Sequence, residues 1–271
     1  MADHRYLCET GDVAGSDFDL AVQDFLREYA VPKRLRESRI AERLKTVEPL
    51  RVPSRWGELC AWRLGSGPAV LLVHGWQDDN SLWSPLIDEL DRRDRALVAF
   101  DLPGHGASGG DWGVSFEGTD SIVAVADTMG PIDSVVAHSA GCGMTVAAIL
   151  EGWAVERGVL LAPPLRDGDR WQRYAVRLGV SEEIALAAKA AYFQRVGEAR
   201  ASWSPRTAYL ATDVDLLVVQ SRDDENNPVS DTEEVIGQHP RARLELVDGL
   251  THRRTARDPT VINLVADFVS P

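Results

Sequence analysis

The chain has 271 residues, with 42 acidic against 29 basic side chains and a formal net charge of −13. That length supports one large α/β domain or two small ones, and the acidic balance speaks against sequence-independent nucleic-acid binding, which needs a basic surface. No run reaches the ~18 apolar residues of a membrane span, and three widely spaced cysteines, Cys8, Cys60 and Cys142, suggest neither a disulfide framework nor a zinc site.

Residues 1–15 show no periodic pattern and read as a loose tail. Their polar, acidic character is not that of a secretory signal, so a cytoplasmic protein with no membrane partner is expected. Ser16 or Asp17 can cap a helix that places Phe18, Val22, Phe25, Leu26 and Tyr29 at near-helical spacing and ends by Pro32. A second helix, basic on one face, is expected over 34–47. Together they read as a helical arm in residues 1–55 packed on a main domain over 56–271. The arm as a grip for an acidic partner is the weaker reading, because its charges mix both signs. Pro49 and Pro53 mark a linker.

Strands are expected at 58–64 and 69–73, joined by the turn Gly65-Ser66-Gly67-Pro68. There follow a helix at 81–91, a strand at 96–100, a helix at 115–127, a strand at 134–137, a helix at 144–152 and a strand at 159–161. Further strands at 214–219 and 243–247 and a helix at 259–269 close the chain. This alternation predicts a mainly parallel sheet covered by helices on both faces. The interval at about 165–213 breaks the rhythm. It is helical in pattern and carries Trp171, Tyr174, Tyr192, Phe193, Trp203 and Tyr209. Connections of that length are usually functional, and a helical cap over a site is expected.

Chemistry concentrates at three strand ends. Val135 and Val136 lead into small residues around one serine, Ala137-His138-Ser139-Ala140-Gly141. A strand that turns sharply into a helix needs small neighbours, and the turn lifts the serine clear of the sheet at a helix N-terminus. Alone, this stretch fits an incidental serine equally well. A serine hydroxyl is a weak nucleophile that needs a base, and the base needs an orienting acid. Asp223 and Asp224 follow the strand at 214–219, and His252 follows the strand at 243–247, which puts all three types at the carboxyl ends where such sheets carry their chemistry. Two backbone N–H groups must also converge on the developing oxyanion. Ala140 supplies one and Trp76 is the candidate for the other, with Gly75 letting the backbone approach.

At these residues the chain resembles the α/β-hydrolase superfamily, most nearly bacterial serine hydrolases of esterase type. The matching motifs are Leu72-Val73-His74-Gly75-Trp76, the run from Phe100 to Ser108, the elbow from Ala137 to Gly141, the run from Val218 to Asp224 leading to Pro228, and Gly249-Leu250-Thr251-His252. The resemblance covers the chain from about residue 58 onward. It implies the α/β-hydrolase fold and a Ser139–His252–acid triad in the order Ser, Asp, His. The acid usually sits four residues before the proline of its loop, which favours Asp224 over its neighbour Asp223. Ala137 replaces the common first glycine of the elbow. Gln220 stands where histidine is common, a non-catalytic position, so the change reads as neutral.

The implied activity is hydrolysis of a small-molecule carboxylic ester or thioester through an acyl-enzyme at Ser139, with no cofactor and no metal. Gly75, Trp83 and His138 are candidates for substrate binding, although Trp76 and Trp83 could equally be core and His138 could support the elbow. His74 and His105 read as groups that shape their loops, and His4 and His239 as surface residues. Asp78 and Asp79 read as solvated loop charges, the sharper alternative being recognition of a cationic or hydroxyl-bearing substrate. Asp223, Asp224 and Glu225 lack further ligands for a metal, and Cys142 reads as buried. Two other functions compete. The segment His74-Gly75-Trp76-Gln77-Asp78 resembles cofactor-independent dioxygenases, which share the fold with hydroxynitrile lyases; those dioxygenases usually carry a second histidine where Ala140 stands. A non-catalytic, ligand-binding member of the fold is the third reading.

Overall fold

Eight strands form one sheet: β1 (Leu50–Ser54), β2 (Gly57–Leu64), β3 (Ala69–Val73), β4 (Leu97–Phe100), β5 (Ile132–His138), β6 (Arg157–Leu161), β7 (Asp215–Ser221) and β8 (Ala242–Val247). The coordinates, a computed structural model, describe residues 17–33, 39–113, 115–165 and 170–270. The spatial order is β1-β2-β4-β3-β5-β6-β7-β8. β1, β2 and β4 pair antiparallel, and β4 through β8 run parallel. β3 is buried at every position, as a strand covered on both faces must be. β8 closes the edge with Arg243 exposed and Glu245 partly exposed, charges that discourage further strand pairing.

The helices are α1 (Asp17–Ala30), α2 (Ser84–Arg92), α3 (Phe116–Met129), α4 (Ala140–Leu150), α5 (Arg170–Leu178), α6 (Glu182–Val196), α7 (Pro205–Leu210), α8 (Val229–Ile236) and α9 (Pro259–Val269). Strand residues alternate between the two layers. Leu71, Val98, Val135 and Ala137 pack with Ile122 and Val125 of α3, Met144 of α4 and Val235 of α8. Leu72, Val136 and Leu217 pack with Ile87 and Leu90 of α2 and Val265 of α9. Each of the valine, leucine, isoleucine and methionine side chains among them contributes about 1.5–3 kcal/mol on full burial.

A third apolar cluster sits away from the sheet. Phe25 and Tyr29 of α1 join Trp171 of α5 and Tyr192 of α6, and Tyr29 stacks on Trp171 with ring centroids 3.9 Å apart. The Tyr192 hydroxyl donates to Glu117 Oε2 at 2.9 Å and thereby ties α6 to α3. Arg200 bridges Asp120 at 2.6 Å and Glu151 at 2.5 Å. The helical interval between β6 and β7 is thus anchored on one side to α3 and α4 and on the other to α1.

Most element expectations match within a few residues. Three need correction. The linker marked by Pro49 and Pro53 contains β1, an edge strand in which a proline is tolerated because one side makes no ladder bond. The second arm helix reduces to a short 3-10 turn at Glu42–Thr46, while residues 34–38 lie outside the described residues, as do the tail at 1–15 with Cys8 and the cap residue Ser16. The sequence pattern predicts no element at 229–236, where the short helix α8 buries Thr232, Val235 and Ile236. Among the described residues, no helix is long and apolar enough to cross a membrane.

Candidate active site

β3 and β5 lie side by side at the centre of the sheet, where the chain switches direction of winding, the place where open α/β sheets leave a crevice at their carboxyl ends. Ser139 follows β5 and precedes α4 with φ +51° and ψ −123°, a conformation that a residue with a Cβ rarely adopts and that marks a built-in strain. Its neighbours explain why the elbow is made of small residues. A Cβ on Gly141 would stand 2.6 Å from the His74 carbonyl oxygen and 2.8 Å from that of Val73, and a Cβ on Gly75 would stand 3.0 Å from the Ser139 Cβ. Ala137, at the first elbow position, is fully buried in the core.

The three strand ends meet. His252 Nε2 lies 2.8 Å from Ser139 Oγ, and His252 Nδ1 lies 2.8 Å from Asp224 Oδ2. The Asp224 side chain is fully buried. Burial alone would raise its carboxyl, but the bond to His252 and the N–H groups of Asn226 and Asn227 outweigh that and hold it below the ordinary carboxylate range. Those two N–H groups donate to Oδ1 at 2.8 and 3.0 Å. Asp223 has another position: its Oδ2 accepts the Gly249 N–H at 2.6 Å and so braces the loop that carries His252.

Two residues that sequence reasoning misses belong to this network. Gln220 is fully buried, and its amide donates to Asp224 Oδ2 at 2.9 Å and to the Asn227 carbonyl at 3.1 Å. A glutamine at the end of an apolar strand, four residues before an acid, is the available signal. Glu225 Oε2 accepts the His252 N–H at 3.0 Å.

The remaining candidates sort by position. Ala140 is the first residue of α4, and its N–H has no intrahelical acceptor. The Trp76 loop is shaped as expected by the two histidines before and after it. His74 Nε2 accepts the Leu102 N–H at 3.0 Å, and His105 Nε2 accepts the Gln77 N–H at 3.0 Å. His138 is buried, with Nε2 3.1 Å from the His252 carbonyl. Burial, aided by His252, pushes its imidazole down to about 3 and keeps it neutral. It therefore supports the His252 loop and does not line a cavity. Trp83 is corrected outright: it is fully buried in the layer with α2 and α9. His239 is also buried and not a surface residue, bonded to the Thr212 hydroxyl at 3.0 Å. Asp78 and Asp79 are both buried. Asp78 pairs with Arg253, and Asp79 caps the turn at Asn80–Trp83 through the Ser81 N–H at 3.0 Å, so neither is a solvated loop charge. Cys142 is buried as expected.

A cavity of about 600 Å³ opens between the start of α4 and the α5–α7 interval. Phe116, Met144, Trp171, Phe193 and Trp203 line it with Ala140, and Arg173, Lys189 and Arg206 also reach its wall.

A model of the alpha/beta hydrolase family matches residues 70–263, and the chain belongs to that family. Among solved structures, an esterase from Pyrococcus furiosus is similar with a TM-score of 0.68 and 18% identity, covering 89% of this chain and 97% of that one. An enol-lactonase from Burkholderia xenovorans is similar with a TM-score of 0.64 and 19% identity, covering 82% and 100%. At that identity the likeness establishes the shared fold. A pimeloyl-[acyl-carrier protein] methyl ester esterase from Xylella fastidiosa is 45% identical over 42 residues, 16% of this chain and 16% of the relative.

Proposed function

We propose that the protein is a serine hydrolase that cleaves a small-molecule carboxylic ester or thioester through an acyl-enzyme at Ser139. The observation that carries this reading is the unbroken hydrogen-bonded series Ser139 Oγ, His252 Nε2, His252 Nδ1, Asp224 Oδ2, in which both hydrogen bonds are 2.8 Å long. His252 Nε2 takes the Ser139 proton as Oγ attacks the acyl carbon. Asp224, ionised, holds the Nδ1–H and stabilises the imidazolium. The carbonyl oxygen becomes an oxyanion received by the Ala140 and Trp76 N–H groups. Collapse breaks the bond to the alkoxide or thiolate, which leaves with the proton from His252. Water, deprotonated by His252, then attacks the acyl-enzyme and releases the acid. The α5–α7 interval acts as the cap, and the aromatic cavity beneath it receives the acyl group. The esterases and the lactonase that share the fold, and the methyl ester esterase that shares a short stretch, accord with this chemistry.

A fluorophosphonate probe tests it. The intact chain should take one label and Ser139→Ala none, with turnover of a short-chain p-nitrophenyl ester lost in parallel. An unlabelled wild type, or labelling that survives Ser139→Ala, would overturn the reading.

A further inference from the structure

On the same carboxyl edge of the sheet, outside the cavity under α5–α7, lies a second concavity. It is an open cleft of about 670 Å³ between the 39–45 segment, the start of α2 and the turn that follows His252. Its walls carry Arg39, Lys45, Arg253, Arg254 and Arg257, against one carboxylate, Glu42, among the described lining residues. In a chain with a net charge of −13 this is a local reversal of sign. Lys45 is matched by Glu42 at 2.5 Å, and Arg253 by the buried Asp78. Arg257 donates to the Ser81 carbonyl at 3.0 Å, a neutral acceptor that orients the guanidinium and leaves its charge uncompensated. Among the described residues, the guanidinium groups of Arg39 and Arg254 make no hydrogen bond or ion pair; only the Arg39 backbone N–H is engaged, with Asp79.

Like charges gathered around one concavity repel, and a bound anion relieves that repulsion. The chemistry favours phosphate over a lone carboxylate. One guanidinium fork satisfies a carboxylate, whereas a phosphate or diphosphate offers enough oxygens for several forks at once.

We propose that this cleft binds a phosphate-type polyanion beside the mouth of the candidate active site. Its position follows from the chain itself: Arg253 directly follows His252, and Ser81 and Ser84 follow the loop that carries Trp76. Two sources share this chemistry. One is a free phosphoanion that binds next to the site. The other is the phosphorylated thiol portion of a thioester substrate, and this source rests on the ester reading above while the first does not.

Isothermal calorimetry with pyrophosphate on the full chain at low ionic strength tests the site. Wild type should bind at one site. The double variant Arg39→Gln/Arg254→Gln should bind about a hundredfold more weakly, about tenfold for each charge-assisted hydrogen-bonding group removed. Its thermal unfolding without ligand should be no lower than that of wild type, because neither side chain makes a bond and the variant sheds two of the mutually repelling charges. Absence of binding to wild type, or equal affinity in the variant, would refute the proposal. The source is then read from thioesters of one acyl group on coenzyme A and on N-acetylcysteamine, which lacks phosphate. A coenzyme A preference in kcat/KM that falls about tenfold or more in the variant identifies the substrate's own phosphates. A preference left unchanged while pyrophosphate binding is lost identifies a free anion. If neither thioester is turned over by wild type, the thioester reading fails and the calorimetry still decides the site.

Discussion

The Asp224 carboxylate divides its bonds between its two oxygens: backbone N–H groups hold Oδ1, while His252 and Gln220 share Oδ2. Gln220 therefore fixes the plane of the acid that aims His252 at Ser139. Gln220→Leu removes that donor and leaves Oδ2 held by His252 alone. Its kcat for an ester should fall about tenfold with KM little changed, since a bond to a charged group is being lost at the step where charge develops. Steady-state kinetics measures this, and an unchanged kcat would show that the amide only fills space. Gln220→His restores a donor and should recover part of the loss.

His138 makes a prediction about pH. Its imidazole is held down at about 3 by burial, whereas in the unfolded chain it titrates at about 6.5. Between those values the unfolded state binds a proton that the folded state refuses, so stability drops as pH falls from about 6.5 towards 3. Urea unfolding at pH 7, 5.5 and 4 should show a loss of about 3 kcal/mol assignable to this group by pH 4. The difference between wild type and His138→Asn should shrink over the same interval. A constant difference would mean that His138 is protonated in place.

At the scale of elements, the strand-to-helix turn between β5 and α4 sets the site, because it must bring Ser139 out of the sheet while α4 still packs against β3. The separation between Gly141 and the Val73 and His74 carbonyls leaves no room for a methyl group. Gly141→Ala should cost about 1–3 kcal/mol, the usual range for overpacking against groups that cannot move aside. Guanidinium unfolding measures the loss, and fluorophosphonate labelling of the variant should slow as the elbow shifts. Ala137 is legible in the sequence as a small residue in a crowded turn, and the packing accounts for it: it sits wholly within the sheet core, on the face that meets α3 and α4. The β1 strand is not legible, since Pro49 and Pro53 are loop signals in a local reading and only the neighbouring β2 makes an edge strand of them.

For the molecule as a whole, α1 and the α5–α7 interval form one aromatic unit set over the sheet. Phe25 and Tyr29 are nearly fully buried against Trp171 and Tyr174, and Trp171 also lines the cavity beside α4. Phe25→Ala should therefore destabilise the protein by about 3–5 kcal/mol, as large aromatic truncations in a core do. It should also raise KM for an acyl substrate, because the wall of the cavity loosens. Thermal unfolding and ester kinetics together test this, and a stable variant with wild-type KM would separate α1 from the cavity.

Ser139, His252 and the neighbouring pair Asp223 and Asp224, within which only the family resemblance favours Asp224, can be picked out of the sequence because each follows a recognisable strand, and strand order with residue type narrows such a site to few candidates. The alternation of strands and helices determined the sheet class for the same reason: periodicity is a local property. What local pattern does not reach is which face a side chain takes. Trp83 and Trp171 are both aromatic residues in helical stretches, yet one fills the layer under α2 and α9 and the other lines the cavity. Apolar packing and an apolar pocket present identical side chains, and only the tertiary arrangement separates them. The same holds for Gln220, whose polarity looks neutral in the chain. It becomes part of the candidate site only when β7 places its amide on the Asp224 oxygen that faces His252.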